Sequence, residues 1–358
     1  MQGGGERVVD VWAEMYPEAD IYALFVDEKQ LSTPLRSRRV YGSLLNRFPF
    51  ATKLHRHLLP LYPWAIESLD LRNYDLVISS CGPAVMGVSV LQDTLHICYC
   101  HTPQRSYWDL YLEHQEQLKG MKRQLFVLSA SAVRTWEHCA MQRVDHVIAN
   151  SNYIRSRIKK YLSRESTVIY PPVDTSTSLP STRNEGYYLS VGRLEIQKRV
   201  DILIRACNQL GRKLLVSGTG KEEQNLKQLA GPTIEFLGRV PDEQLPILYS
   251  NARALLFAAD EDFGIVPVEA QANGKPVIAY AHGGSLETIR HKDHLGRKDT
   301  GVLFDQQNAE SLTKAIIEFE KREGEFDPED IRAHAMQFDT VHFKASFSQF
   351  VNDAILQK

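Results

Sequence analysis

The chain has 358 residues, 43% of them hydrophobic and 24% charged, with a formal net charge of -2. At roughly 150 residues per domain this length predicts about two domains, and the composition excludes a disordered, collagen-like or coiled-coil protein. Near-neutral charge gives no case for nucleic acid, and no apolar run approaches the ~20 residues of a bilayer span.

Met1-Gln2-Gly3 leads straight into Gly4 and Gly5, ahead of a helical stretch and without the charged and apolar regions of a signal peptide. Between Glu28 and Glu67 no acid occurs. Residues 29–66 instead mix Lys29, Arg36, Arg38, Arg39, Arg47, Lys53 and Arg56 with Phe48, Phe50, Leu54, Leu58, Leu61, Tyr62 and Trp64. That mixture suits an anionic membrane surface and equally a solvated helical face over an ordinary core. Short β-branched runs at 74–79, 95–100 and 144–149 then alternate with helical patterns. Ser79-Ser80-Cys81-Gly82 closes one strand and His101 another. Cys98-Tyr99-Cys100-His101 lacks a second ligand pair at metal spacing, so no metal is expected. The five cysteines contain no CxxC pair and read as reduced thiols of a cytoplasmic protein.

Prolines and hydroxyl residues crowd 171–182 and mark a linker. Beyond it strands are predicted at 187–191, 213–217, 234–237, 253–258, 276–280 and 301–304. Helices are predicted at 200–210, 222–229, 242–252, 266–272 and 285–290. This alternation implies parallel sheets with right-handed crossovers. The fold class is α/β, two Rossmann-like doubly wound domains facing a cleft. A last helix is expected over 338–350, with Phe338, Phe343, Phe347 and Phe350 on adjoining faces.

In open parallel sheets ligands bind beyond the carboxyl ends of the strands, and the unusual residues stand there. Gly192-Arg193 follows one strand and Lys198 precedes a helix, a pattern that suits an anion. Ser217-Gly218-Thr219-Gly220-Lys221 is neither a dinucleotide fingerprint, because Glu223 stands where the third glycine would be, nor a Walker A loop. Asp260, Glu261 and Asp262 resemble a DxD metal site. Yet Glu261 at a strand end and Glu269 near a helix start also suit sugar hydroxyls, and acids there favour the helix dipole in any case. Gly283 and Gly284 offer bare backbone N–H groups.

Taken in order, Gly192-Arg193-Leu194, Lys198, Gly238-Arg239-Val240, Glu261, Glu269 and Gly283-Gly284 resemble glycosyltransferase family 4, the retaining nucleotide-sugar transferases of GT-B fold. Gly3-Gly4-Gly5-Glu6-Arg7-Val8, Tyr99-Cys100-His101-Thr102-Pro103 and Tyr107-Trp108-Asp109 look like the branch of bacterial mannosyltransferases that build O-antigen and exopolysaccharide, commonly from GDP-mannose. The resemblance implies that Arg193 and Lys198 bind the donor diphosphate, Glu269 the ribose and Glu261 the donor sugar. His101 then lies beside the sugar, while Gly4 and Gly5 approach the phosphate and acceptor. Gly192, Gly218, Arg239, Phe263, Gly264, Ile265, Val266, Gly283 and Gly284 complete the donor site.

It implies an acceptor-side domain over 1–170, a linker over 171–185, a donor domain over 186–335 and a helix crossing back over 336–358. Family chains usually start with a strand before the glycine loop. This chain starts in the loop, so the first, central strand of the N-terminal domain is expected to be missing and the true start to lie upstream. The expected reaction is retaining, metal-independent transfer of a hexose, α-mannose from GDP-mannose, to a lipid-linked glycan. Its setting is the cytoplasm or the inner face of the cytoplasmic membrane, reached through residues 29–66. No cofactor beyond the nucleotide-sugar donor is expected. A UDP-sugar hexosyltransferase, a GT-B sugar-nucleotide epimerase and a non-catalytic nucleotide-sugar-binding protein are the alternatives.

Overall fold

The computed structural model describes residues 4–48, 58–82, 84–178, 180–292 and 296–358. Phe50, Lys53, Leu54 and Arg56 of the basic window lie outside the described residues, as does Gly3. Two compact units divide the chain. One is Pro171–Phe343, and the other is Gln2–Tyr170 with Lys344–Lys358.

Among the described residues the unit from Pro171 holds six parallel strands: β7 (Tyr187–Val191), β8 (Lys213–Ser217), β9 (Ile234–Gly238), β10 (Ala254–Phe257), β11 (Val277–Tyr280) and β12 (Gly301–Phe304). Across the sheet they run β12-β11-β10-β7-β8-β9. Chain order therefore reverses between β7 and β10, the neighbours where Tyr188 pairs with Ala254 and Leu189 with Leu255. Strands buried on both faces read as unbroken apolar runs, and alternate residues here enter opposite cores. Tyr188, Leu214, Val216, Leu256, Ile278 and Val302 pack with helices Val200–Leu210 and Ala309–Arg322. Tyr187, Leu189, Leu215, Leu255, Phe257 and Val277 pack with Leu245–Asn251 and Ile265–Ala272.

In the other unit β1 (Ile21–Ala23) pairs in parallel with β2 (Val40–Gly42), and β3 (Leu76–Cys81), β4 (Leu95–Cys100), β5 (His146–Ala149) and β6 (Thr167–Val168) form a separate parallel sheet. Among the described residues no strand joins the two sheets. The sequence pattern missed β1, β2 and β6, which are too short to show a period, and placed β3 two residues early. Gly4 and Gly5 are not a loop ahead of a helix but the first two residues of helix Gly4–Met15.

The final helix starts at Thr340, later than the apolar pattern suggested, because Asp339 ends the short turn Met336–Phe338 and accepts the Val341 N–H at 2.8 Å. Its later residues pack on Gln2–Tyr170: Phe347 lies 5.0 Å from the Trp12 ring, and Lys344 pairs with Glu14 at 2.8 Å. Among the described residues no helix is long and apolar enough to cross a membrane.

Candidate functional site

Residues from separate elements meet beyond β7 and β10, at the order reversal where open α/β sheets bind ligands. Past β7, Gly192 takes φ +152°. It donates its N–H to Ser217 O at 3.0 Å, and Leu194 donates to Thr219 O at 2.9 Å. Gly218, at φ +139°, lies so near that a Cβ there would collide with the Gly192 carbonyl oxygen. Only glycine allows both the backbone angle and this approach. The laced turns of β7 and β8 leave Arg193 exposed and carry the chain into the turn Ile196–Lys198, which presents Lys198. Arg193 and Lys198 share a recess with Gly192, Val200, Phe257 and Ala258. Arg239 follows Gly238 after β9 and is also exposed.

Beyond β10, Glu261 lies four residues past the last strand residue instead of ending the strand. Lys198 Nζ donates to Glu261 Oε1, both side chains being about a quarter exposed. His282 Nδ1 lies 2.9 Å from Asp260 Oδ1. Two members of the DxD-like run thus face basic side chains, and among the described residues no three His, Cys, Asp or Glu side chains form a group able to hold a metal.

The chain turns at Phe263, buried with its ring edge against Phe338, and at Gly264, whose φ is +90°. Ile265 and Val266 then open helix Ile265–Ala272, with Glu269 its fifth residue. Tyr249, buried on the neighbouring helix, donates its hydroxyl to Glu269 Oε2 at 3.0 Å. Gly283 and Gly284 press on this turn: a Cβ on either would strike the backbone of Glu261 or Phe263. The expectation of a free N–H at Gly284 is corrected, since it is donated to Glu261 O at 2.8 Å. That bond fixes the loop carrying Glu261.

His101, Gly4 and Gly5 belong to the other unit, where Gly5 meets His101. His101 follows β4, with Nε2 2.9 Å from Ser80 Oγ and its backbone carbonyl accepting from Asn150 Nδ2 at 3.0 Å. Gly5 lies against the imidazole, and a Cβ there would stand 3.3 Å from Nε2. Burial pushes the His101 pKa down to about 4, so the ring is neutral at pH 7. Asn150 and Tyr249 carry no signal in the sequence because their partners are distant in the chain, and Ser80 shows there only as part of a strand end. His282, beside the double glycine, carried a visible signal.

Residues 2–177 match the family described as Glycosyltransferase Family 4, and residues 175–336 match Glycosyl transferases group 1. The alpha-1,3/1,6-mannosyltransferase of Saccharomyces cerevisiae is 27% identical over 80% of this chain and 69% of its own. The same enzyme of Candida glabrata is 26% identical over 67% of this chain, which spans 62% of that relative's length. The O-antigen chain mannosyltransferase of Salmonella typhimurium is 30% identical over 39% of this chain and 43% of its own. Among solved structures, HepE of Anabaena in complex with UDP superimposes with TM-score 0.71 at 19% identity, covering 98% of this chain and 96% of that one. Sucrose-phosphate synthase from Thermosynechococcus elongatus gives 0.72 at 17%, covering 98% and 92%. Both are similar in fold.

Proposed function

Since this chain belongs to family 4 of the glycosyltransferases and has the GT-B fold, we propose that it transfers α-mannose from GDP-mannose, with retention, to a lipid-linked glycan. The observation that carries the transfer site is the Lys198–Glu261 pair at the β7/β10 reversal, with Arg193 in the same recess and Glu269 on the helix that follows. Mannose is supported by the mannosyltransferases among the similar proteins.

In this reading the donor diphosphate lies at Arg193 and Lys198. As the glycosidic bond breaks, negative charge grows on the departing phosphate. Cations already in position stabilise that charge without reorganising at the moment of reaction, usually the largest catalytic contribution. Lys198 exchanges Glu261 for phosphate, which releases the Glu261 carboxylate toward the donor sugar. Glu269, steadied by Tyr249, accepts from the ribose hydroxyls. The two cations perform the task a divalent ion has elsewhere, so transfer is expected to continue in EDTA.

Thermal unfolding with GDP-mannose, GDP, UDP-glucose, UDP-galactose and ADP-glucose tests the donor. A ligand at a hundred times its Kd adds about 2.7 kcal/mol and moves the midpoint by a few degrees. Stabilisation by GDP and GDP-mannose alone is expected, followed by GDP release when a mannosyl-accepting lipid-linked glycan is supplied. Stabilisation by a UDP ligand alone would overturn the mannose assignment, and activity restored by Mn²⁺ after EDTA would overturn metal independence.

A further inference from the structure

The residue that follows Lys198 holds an unusual backbone conformation. Arg199 takes φ +50° and ψ +39°, the left-handed region that is unfavourable for a residue bearing a side chain. Glycine adopts it freely, yet an arginine stands here, at the join between the turn Ile196–Lys198 and helix Val200–Leu210. Such an angle persists only where the surroundings over-determine it, and it is commonest at functional sites. The backbone supplies part of the hold. The Arg199 N–H donates to Ile196 O at 3.2 Å, and the Arg199 carbonyl accepts from the Ile202 N–H at 3.1 Å. The side chain supplies the rest.

All three guanidinium nitrogens are engaged. Nε and Nη2 donate to the two Asp201 carboxylate oxygens at 3.0 and 3.3 Å, and Nη1 donates to Gln307 Oε1 at 3.1 Å. The other end of the Gln307 amide, Nε2, donates to Ala258 O at 2.8 Å. Chemistry fixes the direction of this relay, because only the amide oxygen accepts from a guanidinium and only the amide nitrogen donates to a carbonyl. Gln307 follows β12 and stands two residues before helix Ala309–Arg322. From there it ties together the loops that leave β7 and β10. Those loops carry the two members of the Lys198–Glu261 pair. Arg199 is the chain neighbour of Lys198, and Ala258 stands three residues before Glu261. Ala258 is buried and lines the recess of Arg193 and Lys198. Among the described residues neither Arg199 nor Gln307 lines that recess, so both act on it from behind.

We propose that Arg199 and Gln307 are positioning residues of the transfer site: the relay from Asp201 through Arg199 and Gln307 to Ala258 sets the separation of Lys198 and Glu261 and aims the Lys198 ammonium group at the donor diphosphate. The inference rests on the reading that Lys198 binds that diphosphate. A lysine side chain is long and flexible, and ordering it on binding opposes affinity. A backbone fixed beside it lowers that loss by preorganisation. The left-handed angle at Arg199 is then the geometry that turns Lys198 out of the helix axis and toward Glu261, and the side-chain relay is what keeps it.

The test is calorimetric titration of the purified full chain with GDP and with UDP, for the parent, Gln307→Met, Lys198→Ala and the double variant. Gln307→Met keeps the length of the side chain and removes both of its hydrogen bonds. It is expected to weaken the nucleoside diphosphate about fivefold, with an unfolding midpoint within a few degrees of the parent. Added to Lys198→Ala, the same substitution should change affinity less than about twofold, because the relay acts through Lys198; a purely structural role would weaken both chains alike. Equal losses with and without Lys198 would overturn the proposal, as would parent-like affinity in Gln307→Met beside a weakly binding Lys198→Ala. Normal affinity in Lys198→Ala, or a parent that binds neither nucleotide, would overturn the diphosphate reading itself and the relay with it. Should Gln307→Met fail to fold, Arg199→Lys is titrated in its place. It keeps the charge but cannot reach Asp201 and Gln307 in one planar fork, and the same loss, confined to chains that retain Lys198, is expected.

Discussion

The six described strands of Tyr187–Phe304 form one continuous sheet, whereas the six described strands of Ile21–Val168 lie in two. The loops beyond the strands differ in kind as well. After β7, β8 and β9 the chain turns on Gly192, Gly218 and Gly238, all at positive φ, and backbone groups lace neighbouring loops together. Along β3 and β4 and just beyond them the bonds pass through side chains, of which Ser79 and His96 are buried. Ser80 meets His101, Ser79 meets His96 at 2.9 Å, and Asp145 accepts the His96 N–H at 2.7 Å. One half shapes its loops with backbone and glycine, the other with polar side chains. The two should respond to different perturbations.

The largest expected effect is on the glycines. Gly218→Ala sets a methyl group into the Gly192 carbonyl at a backbone angle foreign to L-residues, and Gly284→Ala meets the Phe263 backbone. Overpacking and strain together predict a loss of about 3 kcal/mol or more. Gly5→Ala meets only the edge of an imidazole at 3.3 Å and should cost about 1 kcal/mol or less. Denaturant unfolding of the three variants measures this, and equal losses would dissolve the contrast between the halves.

Next comes the proposed anion site. Arg193→Ala or Lys198→Ala should lower kcat by roughly 10²-fold or more, as for other preorganised charge stabilisers. Lys198→Ala also leaves Glu261 without its cation. Near-normal turnover in either variant would remove that residue from the site.

The same difference explains what could be read in the sequence. Glycine announces itself where a turn needs positive φ or close approach, so the strand ends around Gly192, Gly218 and Gly283 stand out in the amino-acid sequence alone. The six strands from 187 to 304 are legible because burial on both faces makes each an apolar run. In the other half β1, β2 and β6 span two or three residues, too few to show a period against propensity. His96 and Asn150 look like ordinary polar residues until the fold supplies their partners. Close packing of Glu261 on Gly284 is equally invisible there, and it turns an expected free donor into a structural bond.

Acid sharpens the comparison. Burial pushes both His96 and His101 down to about 4, against ~6.5 in an unfolded chain. As pH falls below ~6.5 the unfolded state takes up these protons first, so stability falls progressively until pH 4. At pH 5 each histidine should cost about 2 kcal/mol. In Pro171–Phe343, His291 is displaced in the same direction by burial, with Asp299 opposing. Hydrogen exchange at pH 7 and pH 5, corrected for intrinsic rates, should show β3 and β4 opening well before β7 and β8. His101→Gln, which keeps a partner for Ser80, should reduce the acid effect. Equal opening in both units would contradict the assignment.

The smallest expected effect lies where the backbone-built half uses a side chain as the other half does. Tyr249 is 2% exposed, packed with Leu255 and Phe257, and its hydroxyl steadies Glu269. Tyr249→Phe keeps the ring and its packing and removes one hydrogen bond, worth about 1 kcal/mol. If Glu269 holds the ribose, the affinity for free GDP should fall about fivefold, with kcat little altered because the carboxylate is distant from the developing phosphate charge. Glu269→Ala should weaken GDP further in the same direction. A Tyr249→Phe enzyme with unaltered GDP affinity but lower kcat would move Glu269 from nucleotide binding to the reacting centre.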